Sequence, residues 1–309
     1  MTHLDYINQH FPIRKSVDDK EQFRNYIVDS LNKKGIVAKV ERTKDGKNDN
    51  IIVGDPTKAK AVFVAHYDTP ARSIFPNIMI PKNKLVFYAY QFVPIIFLLT
   101  VSMLFGHIVG NVILNDYSAF VASFMVAYYG LFFGIMRGFT NKFNYNDNTS
   151  GVATVLSIID ELAPDKLNDV AFILFDNEEK GKKGSAAYFK DHKQEMQDRF
   201  VLNFDCVGNG DHILFIAQPC AFGAHKYKHL QDTFEHSEHY IVEFCSNKEA
   251  NSNSDHKNFT KGVACVACKK SKHGLLYTPN IHTHKDIVAD NSNIDFLSKK
   301  IVDFVNELN

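Results

Sequence analysis

From Leu85 to Asn115 the chain carries no aspartate, glutamate, lysine or arginine; Asp116 interrupts, and Tyr117 to Met136 is again uncharged. Each run reaches the roughly 20 apolar residues that cross a bilayer, and uncharged runs of this length are rare in soluble cores. They predict two transmembrane helices joined by a tight turn around Asn111 to Tyr117. Pro94 lies near the start of the first span, where a membrane helix tolerates it. His107 carries no assigned role. Lys82 and Lys84 flank one side, Arg137 and Lys142 the other, and the turn has no basic residue. The positive-inside rule then places both flanks, and the rest of the protein, in the cytosol. The competing readings are a helical hairpin buried in a soluble fold and an apolar lid that binds a partner. Residues 85–136 therefore read as an insertion into one domain formed by residues 1–84 and 137–309.

Composition excludes several function classes. Lys+Arg and Asp+Glu both number 35, so no charge excess points to nucleic acid. Met1 to Lys20 is polar and has no signal-peptide core. Five cysteines without framework spacing suit a reducing compartment. Cys265 and Cys268 have the spacing of half a zinc ribbon, but no second pair exists, and the β-like run Gly262 to Cys268 makes them strand core.

Outside the apolar runs, strand and helix patterns alternate. Asp18 to Lys34 has Phe23, Ile27 and Leu31 on one helical face. Ile36 to Glu41 and Asn50 to Val53 flank a polar turn with Asp45-Gly46, a hairpin signal. Ala61 to Ala65, Val170 to Phe175 and Phe200 to Phe204 are continuous apolar runs, as expected of central strands buried on both faces. The fold class is α/β: a three-layer α/β/α sandwich with a mixed central sheet, plus an inserted hydrophobic helical hairpin.

The chemistry-bearing residues gather at the ends of those strands. His66-Tyr67-Asp68 follows the first, Glu178-Glu179 the second, and Asp205 the third. Asn146 to Gly151 precedes an apolar helical run, and His282-Thr283 precedes the C-terminal helix. Alone, Asp147 and Asn148 would read as helix caps. Histidines and carboxylates at the carboxyl ends of central strands instead form a constellation suited to divalent metal.

Together these motifs resemble the co-catalytic di-zinc aminopeptidase family of metallopeptidase clan MH, relatives of leucyl aminopeptidases, glutamate carboxypeptidase II and glutaminyl cyclases. H-x-D matches His66 to Asp68, D-N-x-S-G matches Asp147 to Gly151, and E-E with a glycine turn matches Glu178-Glu179 with Gly181 and Gly184. N-x-D matches Asn203 to Asp205, S-D-H-x-x-F matches Ser254 to Phe259, and H-T-x-x-D matches His282 to Asp286. The resemblance implies two zinc ions per chain. Asp147 would bridge them, with His66 and Asp205 on one and Glu179 and His282 on the other. Glu178 would be the general base, and Asp68 would orient His66. Asp286 is expected to act similarly near His282, His284 to be no ligand, and Asp255 and His256 to order their loop.

The implied activity is removal of N-terminal residues from peptides. Alternatives are a cyclase, a carboxypeptidase, or a catalytically silent peptide-binding protein at the membrane. In the resemblance the gap between H-x-D and D-N-x-S-G is short; here the apolar insertion fills it, so the site is expected to lie close to the bilayer surface. Tyr145-Asn146 stands where relatives often have Gly-Ala. The sequons at Asn148 and Asn258 agree with a catalytic domain kept in the cytosol. The expected partners are a peptide substrate and, through residues 85–136, the bilayer; an oligomer is compatible with the sequence.

Overall fold

The computed structural model describes residues 1–73, 75, 77–137, 139–235 and 239–308, with backbone alone for residues 135–137. The chain opens with α1 (His3–His10) and α2 (Val17–Lys33), followed by β1 (Ala38–Arg42), β2 (Asp49–Val53), β3 (Ala61–His66) and the short β4 (Ala71–Arg72). Next come α3 (Lys84–Gly106), α4 (Tyr117–Arg137), β5 (Phe139–Thr140), α5 (Gly151–Glu161), β6 (Val170–Phe175), α6 (Lys183–Asp191) and α7 (Lys193–Met196). The remainder is β7 (Phe200–Phe204), β8 (His212–Ala217), α8 (His225–Phe234), β9 (Ile241–Ser246), β10 (Lys261–Lys270), β11 (Leu276–Tyr277) and α9 (Asn291–Asn306).

The main sheet runs β1-β2-β6-β3-β7-β10-β8-β9, with β11 beside β10. It is mixed, as expected: β6, β3, β7 and β10 are mutually parallel, while β1–β2, β2–β6 and β10–β8 are antiparallel. Strand pleat explains the three layers, because successive side chains leave opposite faces. Ala61, Phe63 and Ala65 of β3 enter a core shared with α2, α5 and α9. Val62 and Val64 enter a second core with Tyr188 and Met196. Strand β6 divides in the same way: Phe172 and Leu174 join the first core, Ile173 and Phe175 the second. Cys265 and Cys268 also fall on opposite faces of β10, so the pair is strand core and forms no joint site.

The expected β1–β2 hairpin is present, with Val40 opposite Ile51 and a turn in which the Gly46 N–H donates to Thr43 O at 2.8 Å. Gly46 adopts φ +71, a conformation that favours glycine. The polar N-terminus, read above only as lacking an apolar leader, folds as α1. Its Thr2 hydroxyl accepts the Asp5 N–H, and Leu4 and Ile7 are buried.

The apolar insertion is a helical hairpin. Its two ends are clamped by β4 and β5, where Ala71 pairs with Thr140 and Arg72 with Phe139. The turn is tighter than expected. Helix continues from α3 through Leu114 in π geometry, leaving Asn115 in the left-handed region and Asp116 to cap α4 by accepting the Ser118 N–H at 2.7 Å. The two helices approach closely at Gly110, where an added Cβ would lie 2.3 Å from the Phe120 backbone. No residue from Tyr117 to Gly134 is buried, and Phe92, Ile95, Ile96, Met103 and Leu104 of α3 are exposed. The hairpin is therefore not the core of a soluble fold. Both helices are long and apolar enough to cross a membrane. The side chain of Arg137, counted above as a basic flank, lies outside the described residues.

Phe63 is fully buried where β3 meets α9, with ring centroids of Phe172, Phe204 and Phe304 at 5.7, 6.4 and 6.4 Å. Phe63→Ala should destabilise the α/β domain by about 3–5 kcal/mol, read from denaturant unfolding of detergent-purified protein.

Candidate metal centre

The parallel strands β3, β6 and β7 all end on one side of the sheet; β3 ends on His66, and the loops after β6 and β7 carry Glu178-Glu179 and Asp205. The loop before α5 brings Asp147 to the same place, and the turn after β11 brings His282. Asp147 lies between the two histidines. His66 Nε2 is 3.4 Å from Asp147 Oδ1 and 3.7 Å from Asp205 Oδ1. His282 Nε2 is 3.0 Å from Asp147 Oδ2 and 3.4 Å from Glu179 Oε2. Two triads, His66–Asp147–Asp205 and Asp147–Glu179–His282, share one carboxylate, and a third group, His66–Glu178–Glu179, overlaps both.

Donor atoms at ~2.0–2.2 Å in a tetrahedral zinc site lie roughly 3.3–3.6 Å apart, and the four distances above bracket that value. Glu179 Oε1 and Asp205 Oδ1 are buried with no hydrogen-bond partner among the described residues, a costly state for a carboxylate oxygen unless a cation answers it. The electrostatics agree. Burial works against protonating His66 and His282. The carboxylates overcome it, chiefly Asp147 and Asp205 for His66 and Glu179 and Asp147 for His282, so both stay well above the ordinary histidine value. Burial likewise opposes charge on Asp147, yet the two imidazoles hold it below the usual carboxylate range. Burial raises Glu178 and Glu179. A cluster with this charge distribution is suited to cations, and its imidazole and carboxylate donors fit zinc.

The residues around Asp147 explain the D-N-x-S-G pattern physically. Asn148 Oδ1 accepts the N–H of Gly151 at the start of α5 and that of Cys206 in the Asp205 loop, at 3.1 and 3.2 Å. Its Nδ2 donates to Phe204 O at 2.9 Å. Ser150 Oγ accepts the Val207 N–H at 3.1 Å. These two side chains fasten the Asp147 loop to the Asp205 loop. Gly151 is required by proximity, since a Cβ there would lie 2.3 Å from Phe204 O. The capping role thus falls on Asn148, which is wholly buried, and Asp147 is left to face the histidines.

Two expected positioning roles take a different form. The Asp68 carboxylate accepts the N–H groups of Glu178 and Glu179 at 2.9 and 3.2 Å, so it holds the loop after β6. His66 Nδ1 is nearer the Asp68 carbonyl oxygen, at 3.2 Å, than its carboxylate, at 3.6 Å. Asp286 accepts the N–H groups of Asn146 and Asp147, both at 3.0 Å, instead of supporting His282. Its burial, with Asp147 nearby, pushes it up to about 8. His282 sits at φ +61 in a turn closed by Thr283 donating to Asn280 O at 2.7 Å. His284 is exposed and lines a different groove with Arg72 and Phe139. Asp255 is buried, bonded to the Ser185 hydroxyl and pushed up to about 7 by burial. Burial also drives its neighbour His256 down to about 3; both belong to the loop and not to the cluster.

Two supports escaped the sequence reading. Arg14, fully buried, donates to Tyr67 O and to Thr149 Oγ1 at 3.0 Å, and its own N–H reaches Thr69 Oγ1. It joins the His66 loop to the Asp147 loop. Lys20 donates to Asp176 and Asn177 at 2.6 and 3.0 Å and anchors the start of the Glu178 loop. Both are basic residues in a polar N-terminal stretch, and only their distant partners reveal them.

Fold and cluster together define an α/β domain of metallopeptidase type. The model of "Peptidase family M28" matches residues 140–304, and the chain belongs to that family. The sequence matches no curated protein. Among solved structures, the fold is similar to a glutaminyl cyclase of Porphyromonas gingivalis (TM-score 0.59, 13% identity, 99% of this chain and 97% of the other). It is also similar to a Zn-dependent exopeptidase of Parabacteroides distasonis (0.57, 14%, 99% and 97%) and an aminopeptidase of Legionella pneumophila (0.56, 14%, 99% and 68%).

Asp286→Ala would leave two buried N–H groups unpaired beside the shared carboxylate. Zinc affinity should fall about 10–100-fold, measured by competition with a chromophoric chelator, while the thermal unfolding transition remains cooperative.

Proposed function

We propose that this chain is a metal-dependent aminopeptidase held in a membrane by residues 85–136, with its catalytic domain on the cytosolic side. The observation that carries the reading is Asp147, one carboxylate oxygen facing the His66 triad and the other facing the His282 triad. Two zinc ions bound there would supply Lewis acidity, polarising a peptide carbonyl and making water acidic near neutral pH.

The chain's own groups do the rest. His66 and Asp205 hold one position, Glu179 and His282 the other, and Asp147 joins them. Glu178 lines the same cavity, and its side chain makes no hydrogen bond among the described residues. It takes the proton of the attacking water and returns it to the leaving amine. Asp68, bonded to the backbone N–H groups of both glutamates, holds the loop that carries them. Family membership supports peptide hydrolysis. The intact donor set for two metals favours it over a single-metal cyclase.

Membrane anchoring is supported by the exposure and length of α3 and α4. The cytosolic side is supported by Lys82 and Lys84 before α3, Lys142 after α4, and a turn without basic residues. The sequon at Asn148 is wholly buried, so it carries no sugar in the folded protein.

Detergent-purified protein should release the amine from aminoacyl-arylamides and contain two metals per chain. Glu178→Gln should retain the metal and lose about 10²–10⁴-fold in kcat. Chelation should abolish turnover and zinc restore it. Metal present with no release of any N-terminal residue would overturn the aminopeptidase reading. Conversion of an N-terminal glutamine to a lactam with loss of ammonia would identify a cyclase. The protein should also stay in the membrane pellet after alkaline washing; release into the supernatant would refute anchoring.

A further inference from the structure

The cavity above the two triads measures about 340 Å³, at the small end of ordinary ligand sites of ~300–1,000 Å³. Its floor is anionic, made by Asp147, Glu178, Glu179 and Asp205. Its wall is of opposite character. Lys84 and Lys182 both line it. Lys84 Nζ donates to Lys248 O at 3.2 Å, and Lys182 Nζ to Asn253 Oδ1 at 2.9 Å. Lys257, bonded to Asn251 Oδ1 at 3.0 Å, stands near both. Burial, then the charges of Lys182 and Lys84, pull its ammonium down. Among the described residues no carboxylate pairs with any of these three ammonium groups. By contrast, Lys82, two residues before Lys84, pairs with Glu243.

The hairpin is part of this wall. Lys84 is the first residue of α3, and Phe87 and Gln91, on its next turns, also face the cavity. Its position is fixed by the Asn251 N–H donating to Pro81 O at 2.8 Å and by the Lys82–Glu243 pair. The one cavity therefore presents carboxylates and imidazoles, the amides of Gln91 and Asn251, and two ammonium groups with no paired carboxylate among the described residues.

We propose that Lys84 and Lys182 bind a carboxylate of the substrate, so that the preferred substrate is a short peptide with its amino end at the metal centre and an anionic group against the root of the hairpin. This rests on the aminopeptidase reading and narrows it. The carboxylate has two sources, the free C-terminus of a di- or tripeptide or an acidic side chain beyond the scissile bond. In either case α3 contributes to selectivity as well as to anchoring. Two ammonium groups without counter-ions gain a charge-assisted contact when the carboxylate arrives, and the preference should weaken with salt because the rim is open to solvent.

The test measures binding separately from turnover. Full-length, zinc-loaded Glu178→Gln protein in detergent is titrated calorimetrically with Leu-Gly-Gly as free acid, Leu-Gly-Gly-amide and Leu-Glu-Gly-amide. The free acid, Leu-Glu-Gly-amide, or both should bind about tenfold more tightly than Leu-Gly-Gly-amide. That ratio should fall to about twofold or less when Lys84→Gln and Lys182→Gln are added, and Lys84→Arg with Lys182→Arg should restore it. Equally tight binding of Leu-Glu-Gly-amide would assign the carboxylate to a side chain; amide-like binding would assign it to the C-terminus. Equal binding of all three peptides, or no binding of any, overturns the proposal. Arylamide hydrolysis by the wild-type protein separates that outcome from failure of the aminopeptidase reading, because arylamides carry no carboxylate.

Discussion

Asp147 offers one carboxylate oxygen to the His66 side of the site and the other to the His282 side. Those histidines come from opposite ends of the chain, and their partners Asp205 and Glu179 come from two further loops. Unscreened, so many buried charges would repel or seek protons. The fold therefore spends side chains on holding the loops. Asn148 and Ser150 fasten the Asp147 loop to the Asp205 loop, Asp286 fixes its backbone from the other side, and Asp68 holds both glutamates. The parallel arrangement of β3, β6 and β7 makes this affordable, because it delivers three of the loops to one edge of the sheet.

Much of this was legible in the sequence for physical reasons. Fully buried strands must be continuously apolar, and Ala61 to Ala65, Val170 to Phe175 and Phe200 to Phe204 are. Polar residues at the ends of such strands stand at the sheet's carboxyl edge, so the sequence pattern alone places His66, Glu178, Glu179 and Asp205 together. Supports were less legible because they act at long range through backbone groups. Asp286 follows His282 closely in sequence, which suggested a shared role, yet its oxygens reach the N–H groups of Asn146 and Asp147. Arg14 lies in a polar segment with no pattern to distinguish it; only its contacts with Tyr67 and Thr149 identify it. The hairpin turn falls within the expected Asn111 to Tyr117 stretch but is confined to Asn115 and Asp116, since Asn111 to Leu114 are compatible with either helix or turn. Close packing at Gly110 against Phe120 keeps that stretch helical until Asn115.

Several contacts among the described residues tie the hairpin to the α/β domain. The β4–β5 ribbon joins the ends of the insertion, the Lys82 ion pair holds its entry, and the ring of Phe75 packs edge-on against Phe97 at 5.2 Å. Under the proposed membrane anchoring, a domain tied to the hairpin at these points would present one aspect to the bilayer at one height. Collisions with peptides would then depend on how far a chain end stands from the headgroups, and encounter would become a search across a plane instead of through a volume.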